Sequence, residues 1–204
     1  MSEHGIFTRR AVSALALAGA LGLGGFVLPM AARAETAPKL VIQVDSASGA
    51  PKGKVVIQLM PKVAPKAAKR LETLAGEGAY DGVVFHRVIG GFMAQTGDVE
   101  YGKHGGDLSR AGIGGSKLPD LQAEFSDVPF TRGIVGMARS QNPNSANSQF
   151  FIMFAPASNL NGQYTVVGKV ISGMDVVDKI KKGNAAMNGK VTDPDYMAKV
   201  TVEK

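Results

Sequence analysis

The stretch FHRVIGGFMAQ, residues Phe85–Gln95, places one arginine and one glutamine among large apolar side chains on a predicted pair of strands. A second stretch, NPNSANSQFF at Asn142–Phe151, adds further amide and aromatic side chains. Together the two stretches predict an apolar groove with a single fixed cation. Such a groove suits a neutral ring beside an amide, as in a proline-containing peptide, better than a phosphate, a metal or a charged cofactor.

Short β-rich runs separated by turn residues recur outward from this stretch and predict eight strands, the first two of which form a hairpin. A helix is predicted at Lys66–Glu77, directly after Pro65, and a short amphipathic segment at Met174–Ile180. Many short strands with only two helices predict an all-β dominated fold with an antiparallel sheet, in which closure into a barrel would remove exposed edges. The predicted strands are Leu40–Val44, Lys54–Leu59, Val83–Val88, Phe92–Thr96, Gly133–Ala138, Gln149–Phe154, Thr165–Ile171 and Tyr196–Val202.

The N-terminal segment differs in composition from the rest of the 204 residues. Arg9 and Arg10 precede an uncharged run, Ala11–Val27, and the tripeptide Ala32-Arg33-Ala34 follows. This layout is typical of a secretory signal cleaved after Ala34, and the paired arginines favour the twin-arginine route. We therefore predict a signal peptide at residues 1–34 and one domain at residues 35–204; a retained membrane anchor is the alternative.

Composition excludes several function classes. Loss of residues 1–34 would remove three arginines and one glutamate, which lowers the formal net charge from +6 to +4. The lysines are scattered and not interleaved with aromatic residues, so a nucleic-acid surface is not expected. The absence of cysteine excludes disulfides and thiol chemistry, and two histidines after residue 34 are too few for a multi-histidine metal site.

The sequence supports neither a phosphate loop nor a serine-nucleophile turn. Gly112–Gly115 lacks the lysine and the strand-to-helix frame of a phosphate loop, and the chain has no G-x-S-x-G nucleophile turn. We interpret Gly97–Ser126 as a long excursion across the barrel surface. His86 should face away from Arg87 because side chains alternate along a strand, and a structural, hydrogen-bonded role is expected for it.

Several long motifs resemble the cyclophilin family of peptidyl-prolyl cis-trans isomerases. They are FHRVIGGFMAQTGD at Phe85–Asp98, GIGG at Gly112–Gly115, GIVGMARSQNPNSANSQFFI at Gly133–Ile152 and LNGQYTVVGKV at Leu160–Val170. The resemblance covers essentially all of Leu40–Val202. It implies a closed eight-stranded antiparallel β-barrel capped by two α-helices, and an enzyme that needs no cofactor and no metal.

The resemblance also implies the site residues. Arg87 would donate to the prolyl nitrogen, with Phe92 and Gln95 beside it in the catalytic set. The residues implied in substrate binding are Met93, Gly112, Ala138, Arg139 (through its backbone), Gln149, Phe151, Leu160 and Tyr164. Seen singly, these apolar residues would more often belong to a core, and Gln95 could merely satisfy backbone groups.

Three departures from the family pattern carry expectations. Asn159 stands where drug-sensitive eukaryotic members carry tryptophan, so weak cyclosporin binding is expected. Tyr164 replaces a histidine of many members, so activity should not change with pH near neutrality. Val99–Ala111 is longer than the simplest family pattern, and it is either a neutral surface loop or an added client-binding surface.

The sequence as a whole thus predicts a monomeric, exported isomerase that acts on proline-containing, folding polypeptides in the periplasm, with no stable membrane association after cleavage. A non-catalytic module that binds or holds proline-containing segments is the alternative. An envelope-anchored scaffold with an uncleaved N-terminus is a third hypothesis.

Overall fold

The computed structural model describes residues 37–204. The predicted signal peptide at residues 1–34 lies outside the described residues. Within the described part of the chain, no helix combines the length and the apolar character needed to cross a membrane.

Nine strands and two α-helices make up the regular structure of residues 37–204. Helix α1 spans Pro65–Gly76 and helix α2 spans Met174–Asp178, both within two residues of the predicted bounds. Two 3₁₀ turns lie at Ser158–Leu160 and Ala185–Met187. The strands are β1 Lys39–Asp45, β2 Pro51–Leu59, β3 Val83–Val84, β4 Arg87–Ile89, β5 Met93–Thr96, β6 Ile134–Met137, β7 Phe150–Met153, β8 Val166–Ser172 and β9 Tyr196–Glu203.

All nine strands belong to one curled sheet with antiparallel pairing and the order β3-β9-β1-β2-β8-β6-β7-β5-β4. The predicted hairpin is confirmed, since β1 pairs with β2 from Lys39 opposite Gln58 onward. A second run of neighbours, β6-β7-β5-β4, carries residues of the two stretches Phe85–Gln95 and Asn142–Phe151. The sheet therefore brings Phe85–Gln95 and Asn142–Phe151 into adjacent strands.

The prediction of a closed barrel of eight strands was wrong in one detail. The predicted strand Val83–Val88 is divided into β3 and β4, which are the two edges of the sheet. Between them, the Phe85 N–H donates to the Asp195 carbonyl and the His86 carbonyl accepts from Val191 N–H. This backbone therefore pairs with the segment before β9. The two edges of the sheet are connected by the covalent chain between β3 and β4, and they are not paired with each other as strands.

Helix α1 packs against β8 and β9 and has an unusual start. Pro65 occupies its first turn, and no side chain of its own caps it. The carboxylate of Glu124 instead accepts from the backbone N–H of Lys66 at 3.0 Å and of Ala67 at 2.9 Å. A carboxylate at this end satisfies otherwise unpaired donors and complements the helix dipole. The long Gly97–Ser126 excursion is thereby tied to the helix.

The sheet has two buried faces in its β4–β7 half. Val88, Ala94, Val135 and Ile152 point into the main core, which also receives the buried side of α1. The opposite face carries a second cluster of apolar residues. Its buried members are Met93, Phe130, Ile134, Phe151, Met153, Ala157, Leu160 and Val166. This second cluster forms the floor of the candidate site.

Candidate active site

Strand pairing places the decisive side chains in one row. Arg87 on β4 is opposite Gln95 on β5, Gln95 is opposite Phe151 on β7, and Phe151 is opposite Gly136 on β6. Directly paired residues of antiparallel strands project to the same face. The glycine in this row is required, because a Cβ at Gly136 would lie 2.5 Å from the Phe151 ring.

A cavity of about 160 Å³ opens above this row. Nine of the predicted site residues line it, and they come from four strands and the segments that follow them. The lining consists of Arg87, Phe92, Met93, Gln95, Ala138, Arg139, Phe151, Leu160 and Tyr164. The remaining two predicted residues, Gly112 and Gln149, adjoin the cavity through hydrogen bonds described below. Asn159 is exposed on the neighbouring 3₁₀ turn.

The pocket floor is aromatic and apolar. The Phe151 ring lies 5.7 Å from that of Phe130, nearly parallel, and 5.8 Å from that of Tyr164, nearly perpendicular. Met93 and Leu160 are buried beside them. Aromatic pairs at these separations fix ring positions beyond what area burial provides. The cavity can therefore receive a compact neutral ring without rearranging its walls.

Arg87 is held rigidly at the edge of this pocket. Its Nη1 donates to Gln95 Oε1 at 3.1 Å, its Nε to the Asn188 carbonyl at 3.0 Å, and its Nη2 to Asn188 Oδ1 at 2.9 Å. Burial lowers the pKa of Arg87, but a guanidinium remains charged at physiological pH. All three acceptors are neutral, so the site keeps a positively charged donor.

Asn188 is the site residue that sequence reasoning missed. It ends the 3₁₀ turn Ala185–Met187 in the left-handed conformation, with φ 53°. An asparagine tolerates this conformation better than most residues. The Asn188-Gly189 pair was a visible turn signal, but no sequence pattern linked it to an arginine 101 positions earlier.

Hydrogen bonds continue from Arg87 in one direction across the site. Gln95 accepts from Arg87 and its Nε2 donates to Gln149 Oε1 at 2.9 Å. The Nε2 of Gln149 then donates to the carbonyls of Gly112 at 3.0 Å and Gly114 at 2.8 Å. Since each amide uses its oxygen toward Arg87 and its nitrogen away from it, the network fixes the orientation of both glutamines.

Asp98 anchors the loop that ends this network. Its side chain is fully buried and accepts from the backbone N–H groups of Glu100, Tyr101, Gly112 and Gly114 at 2.7 to 3.1 Å. A Cβ at Gly114 would lie 2.5 Å from Asp98 Oδ1, so glycine is needed there. The excursion is thus an ordered loop, in which Arg110 lies over the Tyr101 ring and His104 stacks on Tyr196.

His86 is buried, and the hydrogen bonds predicted for it are not found. Neither ring nitrogen has a hydrogen-bond partner, and the ring lies under Gly112, where a Cβ would come within 3.0 Å of it. Burial lowers the pKa of His86 to about 4. The ring is therefore neutral at physiological pH and takes no place in the cavity lining.

Arg139 contributes its side chain as well as its backbone. Its guanidinium lies over the Tyr164 ring at 4.3 Å. Nη1 donates to the carbonyls of Ser140 and Gln141, and Nη2 donates to that of Gln163. The sequence predicts only a backbone role for Arg139, because its side-chain contact with Tyr164 depends on how β6 and β8 are brought together.

Within residues 37–204, no group of three or more histidine, cysteine or acidic side chains is arranged to hold a metal ion.

The family model for "Cyclophilin type peptidyl-prolyl cis-trans isomerase/CLD" matches residues 40–202. The chain belongs to this family. It is accordingly a peptidyl-prolyl cis-trans isomerase of the cyclophilin type.

Relatives and solved structures agree with this assignment. A Brucella suis protein named "Probable peptidyl-prolyl cis-trans isomerase" is 55% identical over 193 residues, 94% of this chain and 95% of the relative. An Acinetobacter baylyi "Peptidyl-prolyl cis-trans isomerase" is 36% identical, covering 79% and 80%. A Cryptosporidium parvum cyclophilin, solved in the presence of the dipeptide Ala-Pro, superposes with a TM-score of 0.67 at 26% identity, covering 81% and 99%.

Proposed function

We propose that the cavity beside Arg87 binds X-Pro segments of folding polypeptides and accelerates rotation about the prolyl bond. The observation that carries this proposal is a guanidinium held by three neutral acceptors at the rim of an apolar pocket. Such a pocket accommodates the proline ring, and the guanidinium is placed beside the bond that rotates. The cyclophilin solved with Ala-Pro supports a proline-containing ligand for this family.

The reaction requires differential binding and no covalent step. Rotation about an amide bond faces a barrier of about 18–20 kcal/mol because of its partial double-bond character. Each ~1.4 kcal/mol removed from that barrier gives a tenfold rate increase. The site therefore needs only to bind the twisted amide better than either planar isomer. No nucleophile, metal or cofactor is required by this chemistry.

Arg87 is the proposed catalytic residue. In the twisted state the prolyl nitrogen becomes pyramidal and regains a lone pair that a charged donor can hydrogen-bond. Beyond its three strong hydrogen bonds, Arg87 directs Nη1 toward Met93 Sδ at 3.8 Å, inside the cavity. Thioether sulfur is a weak acceptor, so this donor is available to a prolyl nitrogen at little cost.

The other lining residues divide between the ring and the peptide. The proline ring packs against Phe92, Met93, Phe151 and Leu160, and these side chains exclude water from the rotating bond. Gln95 and the backbone of Arg139 hold the peptide on either side, while Gln149, Gly112 and Ala138 border the next subsite. Tyr164 closes the pocket with its ring nearly perpendicular to that of Phe151.

We propose the periplasm as the place of action. The support is the segment Arg9–Ala34, with its paired arginines, uncharged run and small-residue cleavage site. Uncatalysed prolyl isomerisation takes tens to hundreds of seconds, which can limit folding after export. A monomer that releases its clients after rotation would serve this role. Determining the N-terminal residue of exported material tests the route, and Glu35 is the expected start.

Exchange-sensitive NMR of a short X-Pro peptide tests the activity. We expect strong acceleration of cis-trans exchange by the purified protein and its loss in Arg87→Ala. The control is Arg110→Ala, which removes an exposed guanidinium outside the cavity. Peptide binding without acceleration would overturn catalysis and favour a binding module; full activity of Arg87→Ala would overturn the role of Arg87.

A further inference from the structure

We propose that the groove prefers prolyl bonds flanked by an acidic residue, and that Arg139 determines this preference. The inference rests on the proposed function and names a substrate class for the same cavity. It follows from three features of Arg139 and its surroundings: the sign of the charges that line the cavity, the partners of those charges, and the rigidity of the side chain.

The cavity lining is positively charged without compensation. Arg87 and Arg139 are its two ionic residues, and the lining contains no aspartate or glutamate. The aromatic walls formed by Phe92 and Phe151 lower the local dielectric constant. A cleft with one sign of charge and low-dielectric walls concentrates ligands of the opposite sign.

Neither guanidinium is neutralised by a carboxylate of the described residues. The acceptors of Arg87 are Gln95 and Asn188, and those of Arg139 are the carbonyls of three residues in nearby loops. Arg132 shows the contrasting case, because Asp178 binds two of its nitrogens at 2.9 and 2.7 Å. The positive charge of the groove therefore remains available to a ligand.

Arg139 is fixed in position before any ligand arrives. Its stacking on Tyr164 and its three hydrogen bonds hold the guanidinium plane, and the buried Nε has no hydrogen-bond partner in residues 37–204. A preorganised side chain loses little conformational entropy when a carboxylate binds beside it. The four N–H groups on Nη1 and Nη2 have three carbonyl acceptors, so one of them remains available to a ligand.

An acidic neighbour of proline would therefore be attracted and a basic one repelled. Like charges across an interface select against the wrong partner as effectively as opposite charges select the right one. We expect peptides with glutamate beside proline to exceed matched lysine peptides about fivefold in kcat/KM at low salt. The ratio should shrink when the ionic strength is raised, because counterions screen a cavity open to solvent.

Matched peptides test this preference. Glutamate, glutamine or lysine is placed directly before proline in one set and directly after it in another. Rates of exchange and dissociation constants are measured for the wild type at low and at high salt. A glutamate preference at either position supports the proposal; equal values for glutamate and lysine at low salt at both positions overturn it.

Variants separate charge from shape. Arg139→Gln removes the charge, and we expect the glutamate-to-lysine ratio to fall by about threefold or more. Arg139→Lys keeps the charge and should keep most of the ratio. Arg110→Gln, which removes one positive charge outside the cavity, should leave the ratio unchanged. An unaltered ratio in Arg139→Gln, or an equal loss in both Arg139 variants, would overturn the assignment to the charge of Arg139.

The same measurements distinguish failure of this inference from failure of the proposed function. If no peptide is accelerated, isomerase action in this cavity is refuted, while the dissociation constants still report whether acidic peptides are preferred. If all peptides are accelerated equally, the isomerase stands and the acidic preference is refuted.

Discussion

Asn188 holds Arg87 at two points. The backbone carbonyl of Asn188 accepts from Nε of Arg87 at 3.0 Å, and its side-chain carbonyl accepts from Nη2 at 2.9 Å. The two bonds lie on one edge of the guanidinium and fix its plane, while Gln95 binds the remaining nitrogen. Both carbonyls face the same arginine because Asn188 adopts a positive φ of 53°.

Removal of the Asn188 side chain should therefore reduce turnover more than binding. Asn188→Gly permits the same backbone conformation and keeps the backbone acceptor, but loses Oδ1. One charge-assisted hydrogen bond contributes about 1.5 kcal/mol. Because this bond holds Arg87 in place for the transition state, its loss should lower kcat by about tenfold and leave KM nearly constant.

Asn188→Asp is the conservative partner of that variant. It retains an acceptor at Oδ1 and tolerates the left-handed conformation, so it should keep more activity than Asn188→Gly. Steady-state kinetics on one X-Pro peptide would check both. Equal impairment of the aspartate and glycine variants would show that Oδ1 does not position Arg87.

Asp98 should contribute strongly to stability although it lies outside the cavity. Asp98→Asn replaces one acceptor oxygen by an NH₂ group that faces backbone donors, and so breaks part of a set of four hydrogen bonds. Leaving buried donors unpaired costs about 1–3 kcal/mol for each group. We expect the free energy of unfolding, measured in urea, to fall by about that amount or more.

Asp107 provides the control for this variant, because it accepts from Ser109 on the exposed surface of the same excursion. Asp107→Asn should leave the urea midpoint unchanged. If both variants were equally stable, the buried hydrogen bonds of Asp98 would not organise the loop.

The elements that local patterns control could be predicted from sequence, and those set by tertiary contacts could not. Helix α1 and the first hairpin follow from apolar periodicity and turn residues. The division of Val83–Val88 does not, because Phe85 and His86 pair with backbone more than one hundred positions later. The same holds for Asn188, which reaches Arg87 only after the chain has completed the sheet.

The residues that line the cavity lie in contiguous motifs of the sequence. Nine named residues line one space because Arg87, Gln95 and Phe151 are register partners. The sequence does not predict a role for the side chain of Arg139, because its partner Tyr164 lies in the segment before β8 while Arg139 follows β6. A sequence motif thus identifies which residues line the cavity, but not which of their atoms make the contacts.

Cyclosporin should bind weakly. Asn159 is exposed beside the buried Leu160 of the cavity, and its small polar side chain offers little apolar surface to a hydrophobic macrocycle. Asn159→Trp should tighten binding, because a tryptophan adds a large apolar contact at the rim. Titration of both proteins followed by inhibition of exchange would check this. Tight, saturable inhibition of the unmodified protein would contradict the expectation.

Activity should be independent of pH between about 6 and 7. The cavity contains tyrosine at position 164, and the nearby His86 has its pKa lowered to about 4 by burial. With that pKa, His86 keeps its neutral charge across the interval. Tyr164→His should introduce an inflection there, since an imidazole ordinarily titrates in this range. A clear inflection in the unmodified protein would point to a titrating group that the cavity does not show.

Stability, in contrast, should decrease as the pH falls from about 6.5 to about 4, because of His86. Its pKa is lowered from 6.5 to about 4, chiefly by burial, so the unfolded chain binds a proton in this interval while the folded chain does not. Lowering the pH decreases the stability wherever the unfolded state binds more protons than the folded state. The free energy of unfolding decreases by roughly 3 kcal/mol in total, and this loss is complete near pH 4. Above pH 6.5, the pKa of the histidine in the unfolded chain, His86 no longer makes stability dependent on pH.

His86→Leu removes this titration and keeps a side chain of similar volume under Gly112. Urea unfolding at several pH values should show a slope for the wild type that is reduced in His86→Leu. His104→Gln is the control, because it removes the histidine that stacks on Tyr196 and leaves His86 in place. If the slope is lost in His104→Gln but kept in His86→Leu, the buried ring is not the source of the acid sensitivity.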